Sequence, residues 1–200
     1  GGALCADLGL ATNCVLTGNL AIGNSGYGGG ASGGTLYNCT LTGNEANRGG
    51  GAAGCTLYNC TVTGNSAGEG GGGVNMGTLY NCTLAGNSAN SGGGAFGGTL
   101  YNCTLTGNSA SYAGGGAFES TLYNCLLIGN SASGGGGAFF GTLYNCTVTG
   151  NSASDGGGVV GGTIANCIVH SNQAASGPNY SSVDWETIII EYSCTTPLPP

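Results

Sequence analysis

The chain has 200 residues, of which 46 are glycine, and Arg48 is its only basic residue other than a single histidine. The formal charge of -7 comes from eight acidic residues scattered along the chain. Binding of nucleic acid is not expected, because phosphate contacts need clustered Lys and Arg. The longest apolar run near either end, 188–190, is far shorter than the roughly 20 residues that cross a bilayer, so no membrane-spanning segment is predicted.

An internal repeat dominates the chain. The string Thr-Leu-Tyr-Asn-Cys recurs every 21 or 22 residues, and a divergent first copy at residues 11–14 makes eight units in all. The later copies begin at Thr35, Thr56, Thr78, Thr99, Thr121, Thr142 and, as Thr-Ile-Ala-Asn-Cys, Thr163. A fixed period of this length is typical of solenoid proteins.

Each unit is predicted to contain three short strands separated by bends. In the second unit they lie around Ala31, over 35–37 and over 39–42. Alternation predicts that the Leu and Cys side chains point inward and the Thr and Tyr side chains outward. Asn38 and the Gly43-Asn44 pair are expected at the bends, because Asn and Gly tolerate left-handed backbone angles.

A unit of this size cannot fold alone. Burial of two Leu-like side chains contributes roughly 3 to 6 kcal/mol, whereas each ordered residue costs about 1 to 2 kcal/mol of backbone entropy. Stacking of units is therefore required. The sequence predicts an all-β fold, a right-handed parallel β-helix of about eight coils of 21–22 residues, with a repeat domain over 1–175 and a C-terminal capping segment over 176–200.

The units resemble right-handed parallel β-helix repeats of the pectate-lyase-like superfamily. They look most similar to glycine-rich repeats of bacterial secreted and cell-surface proteins, and to the G-G-A-I and F-x-x-N repeats of polymorphic outer-membrane proteins. Gly94-Ala95-Phe96 and Leu105-Thr106-Gly107-Asn108 stand at those places, with Leu replacing Phe. The resemblance implies the fold and an extracellular or cell-surface location, and it leaves the activity open, because this fold carries many activities.

Two asparagine columns and one cysteine column are expected along the stack. Stacked amides can hydrogen-bond from coil to coil, which favours a structural role for Asn. The Cys residues lack metal-ligand spacing, so buried free thiols are predicted, and no metal or cofactor site is expected. Cys5, Cys55 and Cys194 lie outside the column. The asparagines of one column are Asn13, Asn38, Asn59, Asn81, Asn102, Asn124, Asn145 and Asn166, and those of the other are Asn19, Asn44, Asn65, Asn87, Asn108, Asn130, Asn151 and Asn172.

Two outward surfaces are candidate binding sites. An aromatic strip, suited to coil stacking or to contact with a glycan or another subunit, consists of Tyr37, Tyr58, Tyr80, Tyr101, Tyr123 and Tyr144. A threonine face, similar to the Thr rows of ice-binding proteins, consists of Thr40, Thr42, Thr61, Thr63, Thr104, Thr106, Thr147 and Thr149. Threonine is also a common exposed strand residue, which is the simpler explanation.

No set of catalytic residues is evident. Glycoside hydrolysis needs two carboxylates about 5 to 9.5 Å apart, and Glu45 and Glu69 are the one plausible pair on adjacent units. Arg48 is expected to form a surface ion pair with Glu45, and His170 is expected to occupy an outward Thr position.

The sequence therefore favours a non-enzymatic secreted structural protein, a rigid shaft for adhesion or for head-to-tail assembly into fibres. The alternatives are an ice-binding protein and a carbohydrate-binding or polysaccharide-degrading β-helix protein.

Overall fold

The computed structural model describes residues 4–5, 9–23, 26–182 and 188–195. All regular structure in these residues is β-strand, and every strand pair is parallel. The described part of the chain therefore contains no helix of the length and apolarity that a membrane span requires. The predicted all-β solenoid is confirmed.

Short strands stack into three sheets of nine and one sheet of five. The first sheet contains Leu4–Cys5, Ala31–Ser32, Ala52–Ala53, Val74–Asn75, Ala95–Phe96, Ala117–Phe118, Ala138–Phe139, Val159–Val160 and Tyr180–Ser181. The second contains Leu10–Thr12, Thr35–Tyr37, Thr56–Tyr58, Thr78–Tyr80, Thr99–Tyr101, Thr121–Tyr123, Thr142–Tyr144, Thr163–Ala165 and Ile189–Glu191.

The third sheet follows one bend later in each coil. It contains Val15–Thr17, Thr40–Thr42, Thr61–Thr63, Thr83–Ala85, Thr104–Thr106, Leu126–Ile128, Thr147–Thr149, Ile168–His170 and Cys194–Thr195. The fourth sheet contains Leu20–Ala21, Glu45–Arg48, Ser66–Gly70, Ser88–Ser91 and Ser109–Ala113, and single bridges continue it through Ser131, Ser152 and Gln173.

Equivalent residues of neighbouring repeats pair directly with one another. Thr56, Leu57 and Tyr58 pair with Thr78, Leu79 and Tyr80 of the next coil, for example. This alignment is what the repeat predicted, and it carries every side chain into a column that runs along the axis of the stack.

The core consists of apolar columns from the first three sheets. The inward Leu, Val and Ile of the second and third sheets, such as Leu100 and Leu105, are fully buried from coil to coil. Burial of each such side chain contributes roughly 1.5 to 3 kcal/mol. Alanine and valine of the first sheet close the core on its third side, with Ala95 and Val159 as examples.

Left-handed residues form the bend between the second and third sheets. One asparagine column lies here, and its φ angles are between 51° and 55°. In the last coil Tyr192 takes the same place with a φ of 48°. The bend after the third sheet uses glycine, such as Gly107 with a φ of 60°.

The structure differs from the sequence-based expectation in one respect. Each coil has a fourth extended segment, because the Ser-Ala stretch after the second bend also pairs from coil to coil. The segment expected to cap the stack supplies the last strand of each of the first three sheets, pairing with Val159, Ile164 and Val169 among others. Its sequence departs from the repeat, but its backbone continues it.

Candidate functional site

The outer face of the second sheet carries the aromatic strip. Its six tyrosines stack with ring centroids 4.7 to 5.2 Å apart and ring planes within 10° of parallel. The rings are half-buried, except for Tyr37 at the end of the stack, which is 38% exposed. The predicted ladder is confirmed as a geometric feature, and its role in binding stays a prediction.

A threonine column runs beside these rings on the same face. It is unbroken over seven coils and consists of Thr35, Thr56, Thr78, Thr99, Thr121, Thr142 and Thr163. The sequence interpretation placed these threonines outward without naming them as a surface. The threonine that begins every Thr-Leu-Tyr-Asn-Cys string was the signal for this column. The column is more regular than the threonine face that was predicted from the sequence.

The proposed threonine face lies on the third sheet, and it is interrupted. Thr40, Thr61 and Thr104 share one column, which Leu126 breaks. Ala85 and Ile128 break the second column. The column that includes Thr42, Thr63, Thr106 and Thr149 then ends at His170, which occupies an outward Thr position as expected.

A second aromatic column was missed in the sequence. Phe96, Phe118 and Phe139 stack on the outer face of the first sheet, with ring centroids 5.0 and 5.5 Å apart. The Gly-Ala-Phe triplets that precede three of the repeats were the signal for it.

The asparagine column that follows the third sheet lies inside the stack. From Asn44 onward, each amide nitrogen donates both to the amide oxygen of the next coil and to a backbone carbonyl of the preceding one, as Asn108 does to Asn130 Oδ1 at 2.9 Å and to Leu84 O at 3.0 Å. The backbone N–H of each residue also donates to that next oxygen, at 2.9 Å for Asn108. These amides are saturated with internal hydrogen bonds and offer nothing to a ligand.

The thiol column has a similar internal role. The backbone N–H of Cys60 donates to Cys82 Sγ at 3.4 Å, and the Cys60 thiol lies 3.3 Å from Tyr58 O. The ten described cysteines are free thiols, as predicted, and the side chain of Cys5 lies outside the described residues. In the last coil the Ser193 hydroxyl replaces the thiol and accepts from Cys167 N at 3.0 Å. The column therefore satisfies backbone groups that apolar side chains could not.

The few charged side chains of the described residues include one ion pair. Arg48 pairs with Glu69 at 2.6 Å, not with Glu45 as expected, because the strand register aligns Glu45 with Ser66 and brings Arg48 beside the next coil's Glu69. The Glu69 hydrogen bond raises the pKa of the Arg48 guanidinium. Within the described ranges no three His, Cys, Asp or Glu side chains form a cluster that could hold a metal ion.

Comparisons with known proteins give a distant match in structure alone. No protein-family model matches the sequence, and no curated protein matches it. Two structures of QnrB1, described as a plasmid-mediated fluoroquinolone resistance protein, are similar to it. The trypsin-treated form is 15% identical with a TM-score of 0.34, over 88% of this chain and 93% of that one. The full-length form is 12% identical with a TM-score of 0.33, over 94% of both chains.

Proposed function

We propose that this chain is a non-enzymatic structural protein, located outside the cell or on its surface, whose solenoid is a rigid shaft for adhesion or for head-to-tail assembly into fibres. The observation that carries the proposal is the continuity of the ladders. Backbone pairing runs through nine strands in each of three sheets. The buried amides and the thiols add parallel side-chain ladders along the same axis. Such a stack resists bending and extends by adding identical coils.

Two properties of the end coils support assembly along the axis. In the chain as described, the first and last strands of each large sheet are paired on one side only, and an unpaired strand edge is a template for another chain. Outward positions that are threonine in the middle of the stack are apolar near its ends, where Leu10 and Val15 are each 68% exposed and Ile189 is 51% exposed. A head-to-tail contact would cover both features and would generate an open fibre.

The distribution of charge supports a role without catalysis. The Glu69 carboxylate is engaged by Arg48, and Glu45 lies in another row of the fourth sheet. The pectate-lyase-like superfamily and a bacterial source remain part of this proposal, as the origin that the glycine-rich repeats suggest.

Sedimentation velocity and negative-stain electron microscopy over a range of concentrations test the assembly. We expect rods whose lengths are multiples of one subunit, on the order of 40 Å at strand spacing. Val15→Lys should shorten the rods, because a charge next to a strand edge opposes pairing. Thr104→Lys places the same charge in the same column at mid-stack and should leave the rods unchanged. Monomers at every concentration, with no surface localisation in the source cell, would contradict the proposal.

Ice binding is a second candidate, favoured by the unbroken seven-threonine column of the second sheet. The hydroxyl and methyl groups of this column repeat at one-coil spacing, as in the Thr rows of ice-binding proteins. We expect thermal hysteresis that falls when Thr99, at the centre of this column, is replaced by Leu. The absence of thermal hysteresis and of ice shaping at high protein concentration would remove this candidate.

A further inference from the structure

An open groove lies on the outer face of the first sheet, in the second to fourth coils. It has a volume of about 290 Å³ and is lined by Tyr27, Ser32, Gly33, Ala53, Gly54, Asn75 and Met76. Ligand pockets commonly have volumes of about 300 to 1,000 Å³, so this groove is large enough for one small ring and little more.

The groove exists because the aromatic column of the first sheet stops short of it. Ser32, Ala53 and Asn75 occupy the same outward position as Phe96, Phe118 and Phe139 in later coils. The phenylalanine rings fill this face where they are present, and Phe96 Cδ2 lies only 2.8 Å from the place where a Cβ on Gly70 would stand, closer than van der Waals contact allows. The small side chains of Ser32 and Ala53 leave that volume open.

The amide of Asn75 is the feature that points to a ligand. Asn75 is 3% exposed and lines the groove, and its backbone carbonyl accepts from Gly54 N at 2.9 Å. Its side chain has no hydrogen-bond partner among the described residues, in contrast to the saturated amides of the inner ladder. Its polar atoms border the groove and are not fully enclosed, since Asp155 Oδ1 is the one buried side-chain atom without a partner among the described residues. A ligand with a hydroxyl group would supply both a donor and an acceptor to it.

The walls of the groove are an aromatic ring and a thioether. The Tyr27 ring is held by Arg48, whose guanidinium lies 5.9 Å from the ring centroid and whose Nη1 is 3.5 Å from the Tyr27 hydroxyl. Met76 also lines the groove, from a left-handed bend with a φ of 50° at which the neighbouring coils have Gly54 and Gly97 and two later coils have Glu119 and Phe140.

The lining carries no charge. Arg48, which contacts the Tyr27 hydroxyl, is paired with the Glu69 carboxylate at 2.6 Å. A charged ligand would therefore meet no opposite charge, whereas a neutral ring with one apolar face and several hydroxyl groups fits every observed element. The apolar face would pack on Tyr27, and the hydroxyl groups would reach Asn75 and Ser32.

We infer that this groove binds one neutral pyranose, either free or at the end of a glycan. This site is separate from the tyrosine strip, and it gives the proposed shaft a defined sugar-binding position near one end.

Saturation-transfer NMR of the whole chain with methyl glycosides of glucose, galactose, mannose and N-acetylglucosamine tests the inference. We expect transfer from at least one of them, with a dissociation constant on the order of 1 mM, as suits an open groove. Asn75→Leu should weaken binding at least tenfold without lowering the melting temperature, because the Asn75 amide makes no hydrogen bond within the protein and is replaced by an apolar group of similar size. Tyr27→Ala, at an exposed position, should weaken it similarly.

Asn90→Ala is the matched control, since it removes an exposed amide of the fourth sheet and should not alter binding. The inference is overturned if no neutral glycoside shows transfer, if glucuronate binds and the neutral sugars do not, or if p-cresol binds in their place. Unchanged binding by Asn75→Leu would overturn it as well. All these outcomes are independent of whether the chain assembles into rods.

Discussion

The two asparagine columns contain the same residue type in eight coils each, but they differ in burial and in the direction of their amide hydrogen bonds. The column after the third sheet is buried, and Asn108 in its middle has no exposed surface. The column between the second and third sheets is exposed and has φ angles near 54°. Its amides are linked by hydrogen bonds of 3.2 to 3.3 Å that run toward the preceding coil, whereas the inner bonds run toward the next coil at 2.9 to 3.0 Å.

This difference separates two reasons for keeping asparagine in a β-solenoid. The inner column is needed for its side chain, because each amide satisfies backbone groups that water cannot reach. The outer column is needed for its backbone, because asparagine tolerates the left-handed bend. Replacement by glycine should therefore preserve stability in the outer column and reduce it in the inner column.

The largest effect is expected from Asn108→Leu in the inner column. This change leaves Asn87 N, Asn87 Nδ2 and Leu84 O without the partners they have at 3.0 Å. At about 1 to 3 kcal/mol for each buried polar group, the free energy of unfolding should fall by roughly 3 kcal/mol or more. Urea denaturation followed by circular dichroism measures it. A loss below about 1 kcal/mol would mean that the inner amides are dispensable.

A smaller effect is expected in the outer column. Asn102 has a φ of 54°, so Asn102→Ala should cost about 1 to 2 kcal/mol of stability through backbone strain. Asn102→Gly, its matched control, relieves this strain and should lie within about 0.5 kcal/mol of the parent protein. Both values come from the same urea titration. Equal losses for Ala and Gly would show that the exposed amide ladder, and not the bend, determines the choice of asparagine.

The sequence predicted the stack and both columns but not which column is buried. The repeat aligns equivalent residues whatever their environment, so the ladders followed from spacing alone. Burial depends on which way the chain turns at each bend, and Asn-Cys and Gly-Asn are both ordinary bend sequences. The groove could not be predicted from the sequence for a similar reason. Ser32, Ala53 and Asn75 indicate no site by themselves, and only the structure shows that their column continues through three phenylalanines.

A buried thiol should make the stability of the stack depend on pH in the alkaline range. Burial raises the pKa of Cys55 to about 12. The folded state holds the thiol proton more tightly than the unfolded state does. The contribution of Cys55 to the free energy of unfolding is therefore complete below about pH 9 and is lost progressively as the pH rises toward 12. The free energy of unfolding should fall by about 1 kcal/mol between pH 8 and pH 10 from this group.

Cys55→Ser isolates that contribution. Ser120 occupies the position of Cys55 three coils later in the stack. Its hydroxyl donates to Phe118 O as the Cys55 thiol does to Ala53 O. The serine variant should therefore be close to the parent protein in stability at pH 7 and lose less stability between pH 8 and pH 10. Urea titrations at these three pH values supply the comparison, and identical pH dependence in the two proteins would exclude Cys55 as its source.

The smallest effect is expected on the half-buried tyrosine ladder, next to the outer asparagines. Tyr101 stacks on Tyr80 and on Tyr123, with centroids 5.0 Å apart on both sides. Tyr101→Thr keeps a residue that the first coil uses at this position, Thr12, and should cost about 0.2 to 1 kcal/mol in the same urea assay. A loss as large as that of Asn108→Leu would mean that the aromatic face stabilises the stack as much as the inner ladder does. A loss within the expected range would mean that ring stacking adds little to the free energy of unfolding. Stability alone would then not explain six consecutive tyrosines, which favours contact of this face with another molecule.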